Sequence, residues 1–243
     1  MSRLADLIRF YDLLRQLERR VGGTRTLSEL GGRGDWPERG VYFFFEPGET
    51  RRDSGAGPRL VRVGTHALTA GSRSTLRQRL SQHRGLASGG GNHRGSIFRL
   101  LVGQALLAHG KVAPCASWGV KGDPGSAATA QGVSRAALLS AEEPVECAVS
   151  HTIRAMPFLW LCVDDAPGPD SMRGRIERNA IALLSNLGRA PLDPPSSAWL
   201  GQSSDRPRVR DSGLWNQRHV DETHEPAFLE ILERAIAGDA GTQ

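Results

Sequence analysis

The sequence contains almost no lysine, although 31 of its 243 residues are lysine or arginine. Only Lys111 and Lys121 are lysines, and every other member of this group is an arginine. The net charge is +5 at pH 7, and the planar guanidinium group pairs well with phosphate. A polyanionic partner explains this composition, and codon usage in a GC-rich genome explains it equally well.

Cysteine is also scarce, and the three cysteines are isolated from one another. Cys115, Cys147 and Cys162 show no CxxC spacing, so the sequence predicts neither a zinc site nor a disulfide framework. Reduced thiols of this kind fit a cytoplasmic protein best.

Long apolar runs are missing as well. Charged residues such as Asp6 and Arg9 interrupt the first segment, and the longest later run, FLWLCV at 158–163, is too short to span a bilayer. With 39% hydrophobic residues, the chain can still bury a substantial core. We expect a soluble cytoplasmic protein that has no membrane partner.

Local patterns predict both strands and helices. The aromatic run 40–46 and the run 59–65 predict two buried strands that can form a hairpin, and 157–165 predicts a third strand. The Gly, Ala and Ser-rich stretch 119–132 is predicted to be a flexible insertion, and 189–213 a long surface loop. Helices are predicted at 4–20, at 76–85, at about 96–109 and at 169–188. Two more are predicted to begin at Pro144, which fits a first helical position, and at about residue 225.

The helix predicted for LRQRLSQHRG (76–85) carries two polar side chains on the edge of its apolar face. At helical spacing, Arg79 and His83 lie close to the direction of Leu76. A small core that both side chains pass on their way to solvent would explain this placement. An anion held between the helix and the sheet would explain it too.

Glu177 is the unexpected residue of the helix predicted for 169–188, because it lies within the apolar arc. A carboxylate turned toward a core costs several kcal/mol unless a cation or hydrogen bonds compensate it. Arg173, four residues earlier, is one such partner. The alternative is a metal ion, since Mg²⁺ prefers hard oxygen ligands.

Taken in order, these features resemble the GIY-YIG nuclease family. GVY (40–42) matches its first signature and RVG (62–64) its second, and Arg79 and His83 match the arginine and histidine of its first helix. Glu177, in IERNAIALL, stands where the family has its metal-binding glutamate. The resemblance implies an α/β fold with a small, mixed, mainly antiparallel sheet flanked by helices. Its implied divisions are a helical arm (1–38), the nuclease core (39–188) and a C-terminal loop and helix extension (189–243).

The resemblance also implies an activity, namely hydrolysis of DNA phosphodiester bonds with Mg²⁺ (or Mn²⁺) bound to Glu177. Double-stranded DNA and a restriction or defence role are expected, and a homodimer would cut both strands most easily. A repair or structure-selective nuclease of the same chemistry is the alternative within the family. The expected catalytic residues are Tyr42, Arg62, Arg79, His83, Glu177 and Asn186, with Asn216 as a rival to Asn186, and the expected DNA contacts are Arg77, His93 and Arg94.

The sequence departs from the family at Arg62, where the second signature normally begins with tyrosine. Arginine cannot accept a proton at any relevant pH, so either Tyr42 or His83 must serve as the base. One hypothesis is that Arg62 binds phosphate or lowers the pKa of Tyr42, which keeps the enzyme active. The other is that the base system is broken and the protein only binds DNA. If the resemblance is fortuitous, a basic α/β domain of unknown purpose remains.

Overall fold

The run GVYFFF forms the beginning of strand β2 (Gly40–Thr50), whose successive side chains point to opposite faces of the sheet. Val41 and Phe43 join one apolar cluster, whereas Tyr42 and Phe44 join another on the opposite face. Because both faces are covered, the strand has a continuous apolar run rather than an alternating one. In the computed structural model, which describes residues 2–30 and 36–238, β2 is an interior strand of the sheet.

The described residues form one four-stranded sheet in the order β1-β4-β2-β3. Every neighbouring pair is antiparallel, and Tyr42 on β2 lies opposite Gly64 on one side and Trp160 on the other. This arrangement confirms the predicted α/β class with a small, antiparallel sheet. The other strands are β1 (Arg25–Thr26), β3 (Pro58–Gly64) and β4 (Pro157–Cys162).

Helices cover both faces of the sheet. One cluster contains the apolar faces of α1, α6 and α8, and the other contains those of α2, α3 and α5. Within the described ranges, no helix is both long and apolar enough to cross a membrane. The helices are α1 (Arg3–Val21), α2 (Leu76–Arg84), α3 (Ile97–Ala108), α4 (Pro124–Gln131), α5 (Arg135–Arg154), α6 (Met172–Leu184), α7 (Pro207–Ser212) and α8 (Phe228–Ala237).

Two predictions in the middle of the chain were wrong. The stretch 119–132 contains helix α4, because the side chain of Asp123 caps it, Pro124 fits its first position and alanine favours helix. Pro144 lies inside α5 and does not open a helix, since that helix begins after the Ser134 cap. Val145 and Val149 are buried in the core, and this packing offsets the hydrogen bond that an internal proline removes.

The segment 189–213 is also more ordered than the predicted surface loop. It contains a short 3-10 helix (Leu200–Ser203) and α7, and Trp199 is buried. The indole of Trp199 donates a 3.0 Å hydrogen bond to Glu46 on β2. The carboxylate of Asp193 accepts backbone N–H groups of residues 52–54 in the β2–β3 loop. These contacts fix the segment against the hairpin.

The contact between α3 and Trp118 gives a test of the packing. A Cβ added at Gly103 would lie 2.1 Å from the Trp118 ring, so Gly103→Ala should destabilise by about 1–2 kcal/mol after the gain in helix propensity. Gly95→Ala is the matched control, because its Cβ would meet nothing within 4 Å. Urea unfolding of both variants measures the difference. Equal stabilities would contradict the packing described here.

Candidate active site

A cleft of about 630 Å³ opens beside the end of strand β3. Its walls come from β3 and the loop after it, from α2 and α6, and from the segment 215–219. Arginine side chains outnumber carboxylates in this lining, so the cleft favours an anionic ligand. The charged residues and histidines that line it are Arg62, His66, Arg79, Glu177, Arg218 and His219.

Tyr42 and His83 form a buried pair behind this cleft. The Tyr42 hydroxyl and His83 Nε2 share a 2.9 Å hydrogen bond, and His83 Nδ1 is 2.8 Å from the hydroxyl of Ser96. Both side chains are fully buried, and neither lines the cleft. Burial, reinforced by the charges of Arg79 and Arg62, holds the pKa of His83 well below its usual value. The imidazole is therefore neutral at pH 7.

Gly64 makes room for the tyrosine. A Cβ at this position would lie 2.3 Å from the Tyr42 hydroxyl oxygen, which is far closer than two unbonded atoms approach. The ring of Tyr42 thus lies across the backbone of β3, where the two strands pair at Tyr42 and Gly64. This lack of space for a side chain explains why the second signature has a glycine at position 64.

Arg62 lies next to Tyr42 and also lines the cleft. Its guanidinium donates to the carbonyl oxygen of Trp215 and lies 4.7 Å from the centroid of the Phe98 ring. Burial lowers the pKa of Arg62, and the interaction with Tyr42 opposes that effect. Its Nε has no hydrogen-bond partner in the part of the chain that the structure describes. A cation that is desolvated and incompletely paired can bind an anion strongly.

Glu177 enters the cleft from α6. Its Oε1 accepts a 3.1 Å hydrogen bond from the backbone N–H of Thr65, just after β3. Burial raises the pKa of Glu177, and the charge of Arg62 opposes this shift. The alternative pairing with Arg173 is not formed, because the Arg173 guanidinium pairs with Asp165 and donates to the carbonyl oxygen of His66.

The donor set around Glu177 fits a hard cation. Its second carboxylate oxygen, Oε2, has no hydrogen-bond partner among residues 2–30 and 36–238. Within the same ranges, no group of three or more His, Cys, Asp or Glu residues is placed to hold a metal ion. Mg²⁺ commonly binds through one or two carboxylates and completes its shell with water and substrate phosphate. The residues present therefore fit an ion that shares its ligands with a substrate.

Arg79 lines the cleft from α2. Its Nη1 donates to Gln82 Oε1 at 3.0 Å and to the carbonyl oxygen of Gly95 at 3.4 Å. Both acceptors are neutral, and no carboxylate pairs with Arg79 among the residues described. The guanidinium charge is thus available to an anion in the cleft.

The two candidate asparagines are separated by the fold. Asn186 lies away from the cleft, where it accepts from Arg3 at 2.9 Å and donates to the carbonyl oxygen of Leu192 at 3.1 Å. Asn216 lines the cleft. Its amide accepts from the Val63 N–H at 3.2 Å and donates to the Val63 carbonyl oxygen at 2.8 Å. Asn216 therefore positions the cleft wall, and Asn186 ties α1 to the end of α6.

The residues predicted to contact DNA do not line the cleft. His93 is buried, stacks on Trp118 and bonds Glu146 at 3.0 Å, so its side chain is held inside the protein. Arg94 is paired with Glu142 through two hydrogen bonds. Arg77, on α2, is partly buried.

Sequence reasoning missed the two histidines of the cleft, His66 and His219, and one of its arginines, Arg218. His66 follows the second signature directly, and the other two belong to the polar cluster NQRH (216–219). That cluster, which comes just after a buried Leu-Trp pair, is the one local signal for the last two.

The protonation of His66 provides a test of the cleft's electrostatics. Burial, followed by the charge of Arg173, lowers the pKa of His66 to about 4. The unfolded chain, with a histidine pKa of about 6.5, then binds more protons than the folded one. Stability should fall as the pH drops from about 6.5 toward 4.

Urea unfolding at pH 7 and pH 5 measures this effect, and His66→Gln should show a smaller loss than the unmodified chain. His109→Gln is the control, because His109 is exposed on the surface. An unchanged pH dependence in His66→Gln would show that the imidazole is not held neutral.

The similarity to known proteins agrees with this geometry. A family model described as a GIY-YIG domain matches residues 1–241, a wider range than the signature residues cover. No curated protein and no solved structure is significantly similar to the chain. With both signatures meeting at Tyr42 and Gly64, and with a family match over nearly its whole length, the chain belongs to the GIY-YIG nuclease family.

Proposed function

We propose that this protein is a metal-dependent endonuclease that hydrolyses phosphodiester bonds of double-stranded DNA. The observation that carries the proposal is the single cleft that brings together Arg62, Arg79 and Glu177. The Tyr42–His83 pair lies directly behind Arg62. The side chains proposed for anion binding, metal binding and proton transfer thus come from four elements of the fold, β2, β3, α2 and α6.

Arg79 holds the scissile phosphate in this mechanism. Its present partners are neutral, so exchanging them for phosphate oxygens gains charge-assisted hydrogen bonds without breaking an ion pair. The same charge opposes the build-up of negative charge on the phosphate in the transition state. Arg62, on the neighbouring wall, contributes a second guanidinium.

Glu177 is the metal ligand. Its carboxylate would hold Mg²⁺ or Mn²⁺, which would supply charge stabilisation at the leaving oxygen. The Thr65 N–H fixes the carboxylate, and the charge of Arg62 favours its ionised form against the effect of burial. Both contacts come from β3 or its end, so the signature strand positions the metal ligand as well as the tyrosine.

Tyr42 and His83 handle the proton. His83 is neutral, and its ring is fixed between the Tyr42 hydroxyl and the Ser96 hydroxyl. Once Tyr42 has lost its proton to solvent, the adjacent Arg62 and a hydrogen bond from neutral His83 Nε2–H stabilise the phenolate, which can then accept a proton from the attacking water. Because Tyr42 does not line the cleft, Arg62 must move toward the phosphate before the hydroxyl reaches the attacking water.

Restriction or defence is the biological role that we propose, with a homodimer cutting both strands. A catalytically silent DNA-binding protein is the second candidate, and it is favoured by the position of Arg62 between Tyr42 and the cleft. A repair or structure-selective nuclease would use the same site, and its substrate preference would be for flaps or junctions.

Loss of the metal ligand should abolish cleavage. Glu177→Ala removes a contribution of several kcal/mol to transition-state stabilisation, so plasmid nicking should fall roughly a thousandfold. EDTA should have the same effect on the unmodified chain. Glu230→Ala, which removes an exposed carboxylate from α8, should cleave normally. Equal cleavage by Glu177→Ala and Glu230→Ala would exclude this site.

The two candidate functions predict different effects on DNA cleavage when Arg62 is substituted. If Arg62 serves catalysis, Arg62→Met should lower single-turnover cleavage at saturating DNA about 100-fold, and Arg19→Met, an exposed change on α1, should not. If the unmodified chain binds DNA but does not cleave it with any metal, and Arg62→Tyr gains cleavage, the silent DNA-binding candidate is correct.

A further inference from the structure

His219 lies in the same cleft as Glu177, although no family signature includes it. It belongs to the segment 215–219 and has a left-handed backbone, with φ of 64°. About 30% of its side chain is exposed. A left-handed backbone at a residue other than glycine costs free energy, and surrounding contacts must compensate for it.

Those contacts hold the backbone on both sides of His219. The N–H of Trp215 donates to the Val61 carbonyl oxygen at 2.7 Å, and Asn216 forms two hydrogen bonds to Val63. After the histidine, Ser185 donates a 2.5 Å hydrogen bond to the carbonyl oxygen of Val220. The imidazole is thus presented from a fixed wall of the cleft.

The ring of His219 is oriented by a carboxylate. Its Nδ1 lies 2.8 Å from Glu222 Oε1, and Glu222 is itself held by the guanidinium of Arg178. An acceptor at Nδ1 places the proton there and leaves the lone pair on Nε2. No residue in the described part of the chain hydrogen-bonds to Nε2. Histidines that bind metals usually donate their second ring nitrogen to a carboxylate in this way.

Glu177 lines the same cleft as this imidazole. Glu177 keeps its Oε2 without a partner among the residues described, as His219 keeps its Nε2. The cleft therefore contains one oxygen and one nitrogen atom, Glu177 Oε2 and His219 Nε2, that have no hydrogen-bond partner among the residues described.

We propose that His219 Nε2 and the Glu177 carboxylate bind the same divalent cation, with Glu222 orienting the histidine. This inference rests on the proposed role of Glu177 as the metal ligand, and it adds a nitrogen ligand to that site. Imidazole suits transition metals, whereas Mg²⁺ favours oxygen ligands. The site should accordingly bind Mn²⁺ more tightly than Mg²⁺.

Electron spin-echo measurements on the Mn²⁺-loaded protein test the proposal directly. An imidazole nitrogen bound to Mn²⁺ modulates the echo decay at ¹⁴N frequencies, and labelling the histidines with ¹⁵N moves these frequencies. We expect the modulation in the unmodified chain and its loss in His219→Ala. His66→Ala is the matched control, because His66 lines the same cleft, and it should keep the modulation.

Metal titration gives a second readout. His219→Ala should bind Mn²⁺ at least about tenfold more weakly, and Glu222→Gln should show a smaller loss in the same direction. The affinity for Mg²⁺ should change less in both variants. Circular dichroism checks that each variant is folded.

Several results would overturn the proposal. Bound Mn²⁺ without nitrogen modulation in the unmodified chain would show that the imidazole is not a ligand, whatever the variants do. Loss of the modulation in His66→Ala instead of His219→Ala would assign the nitrogen to the other histidine. In both cases the plasmid assay on Glu177→Ala separately decides the proposed nuclease function. If no Mn²⁺ binds with a DNA duplex present, the shared site is wrong even where DNA is cleaved.

Discussion

The packing of the Tyr42 ring on the backbone of Gly64 is the contact on which the site depends. It requires a residue without a side chain at position 64, because any Cβ would overlap the phenol. It also fixes the pairing of β2 with β3, and this register carries Arg62 to the cleft and the Thr65 N–H to Glu177. Two neighbouring strands thereby hold Tyr42, Arg62 and Glu177 in a fixed arrangement.

Arg62, the arginine of the second signature, is buried and so has an environment unlike that of a surface arginine. Desolvation of a guanidinium is costly unless hydrogen bonds replace water. The Trp215 carbonyl oxygen and the Phe98 ring compensate only part of this cost, since Nε has no partner within the described ranges. A phosphate oxygen would complete the set. At the position where the family has tyrosine, this chain thus carries a buried cation whose hydrogen bonds are incomplete within the described residues.

Prediction from sequence succeeded where local spacing determines geometry. The strand pair, the helix that carries Arg79 and His83, and the inward Glu177 all follow from periodicities of two or 3.6 residues. His66 and His219 have no such pattern, because contacts with distant residues place them. The N–H of Trp215, for example, bonds to Val61, and no local rule connects these two positions. The choice between Asn186 and Asn216 depends on the same long-range contacts.

The charge balance of the cleft connects metal binding with DNA binding. Arg62, Arg79 and Arg218 face a single carboxylate, Glu177, in the lining. A divalent cation entering this space alone meets repulsion from three guanidinium groups, whereas a phosphate attracts both the cation and the arginines. Each ligand should then raise the affinity of the other by the same factor, as linkage requires. Under the proposed function, this cleft would bind its metal more tightly when DNA is present, which would limit hydrolysis to the bound substrate.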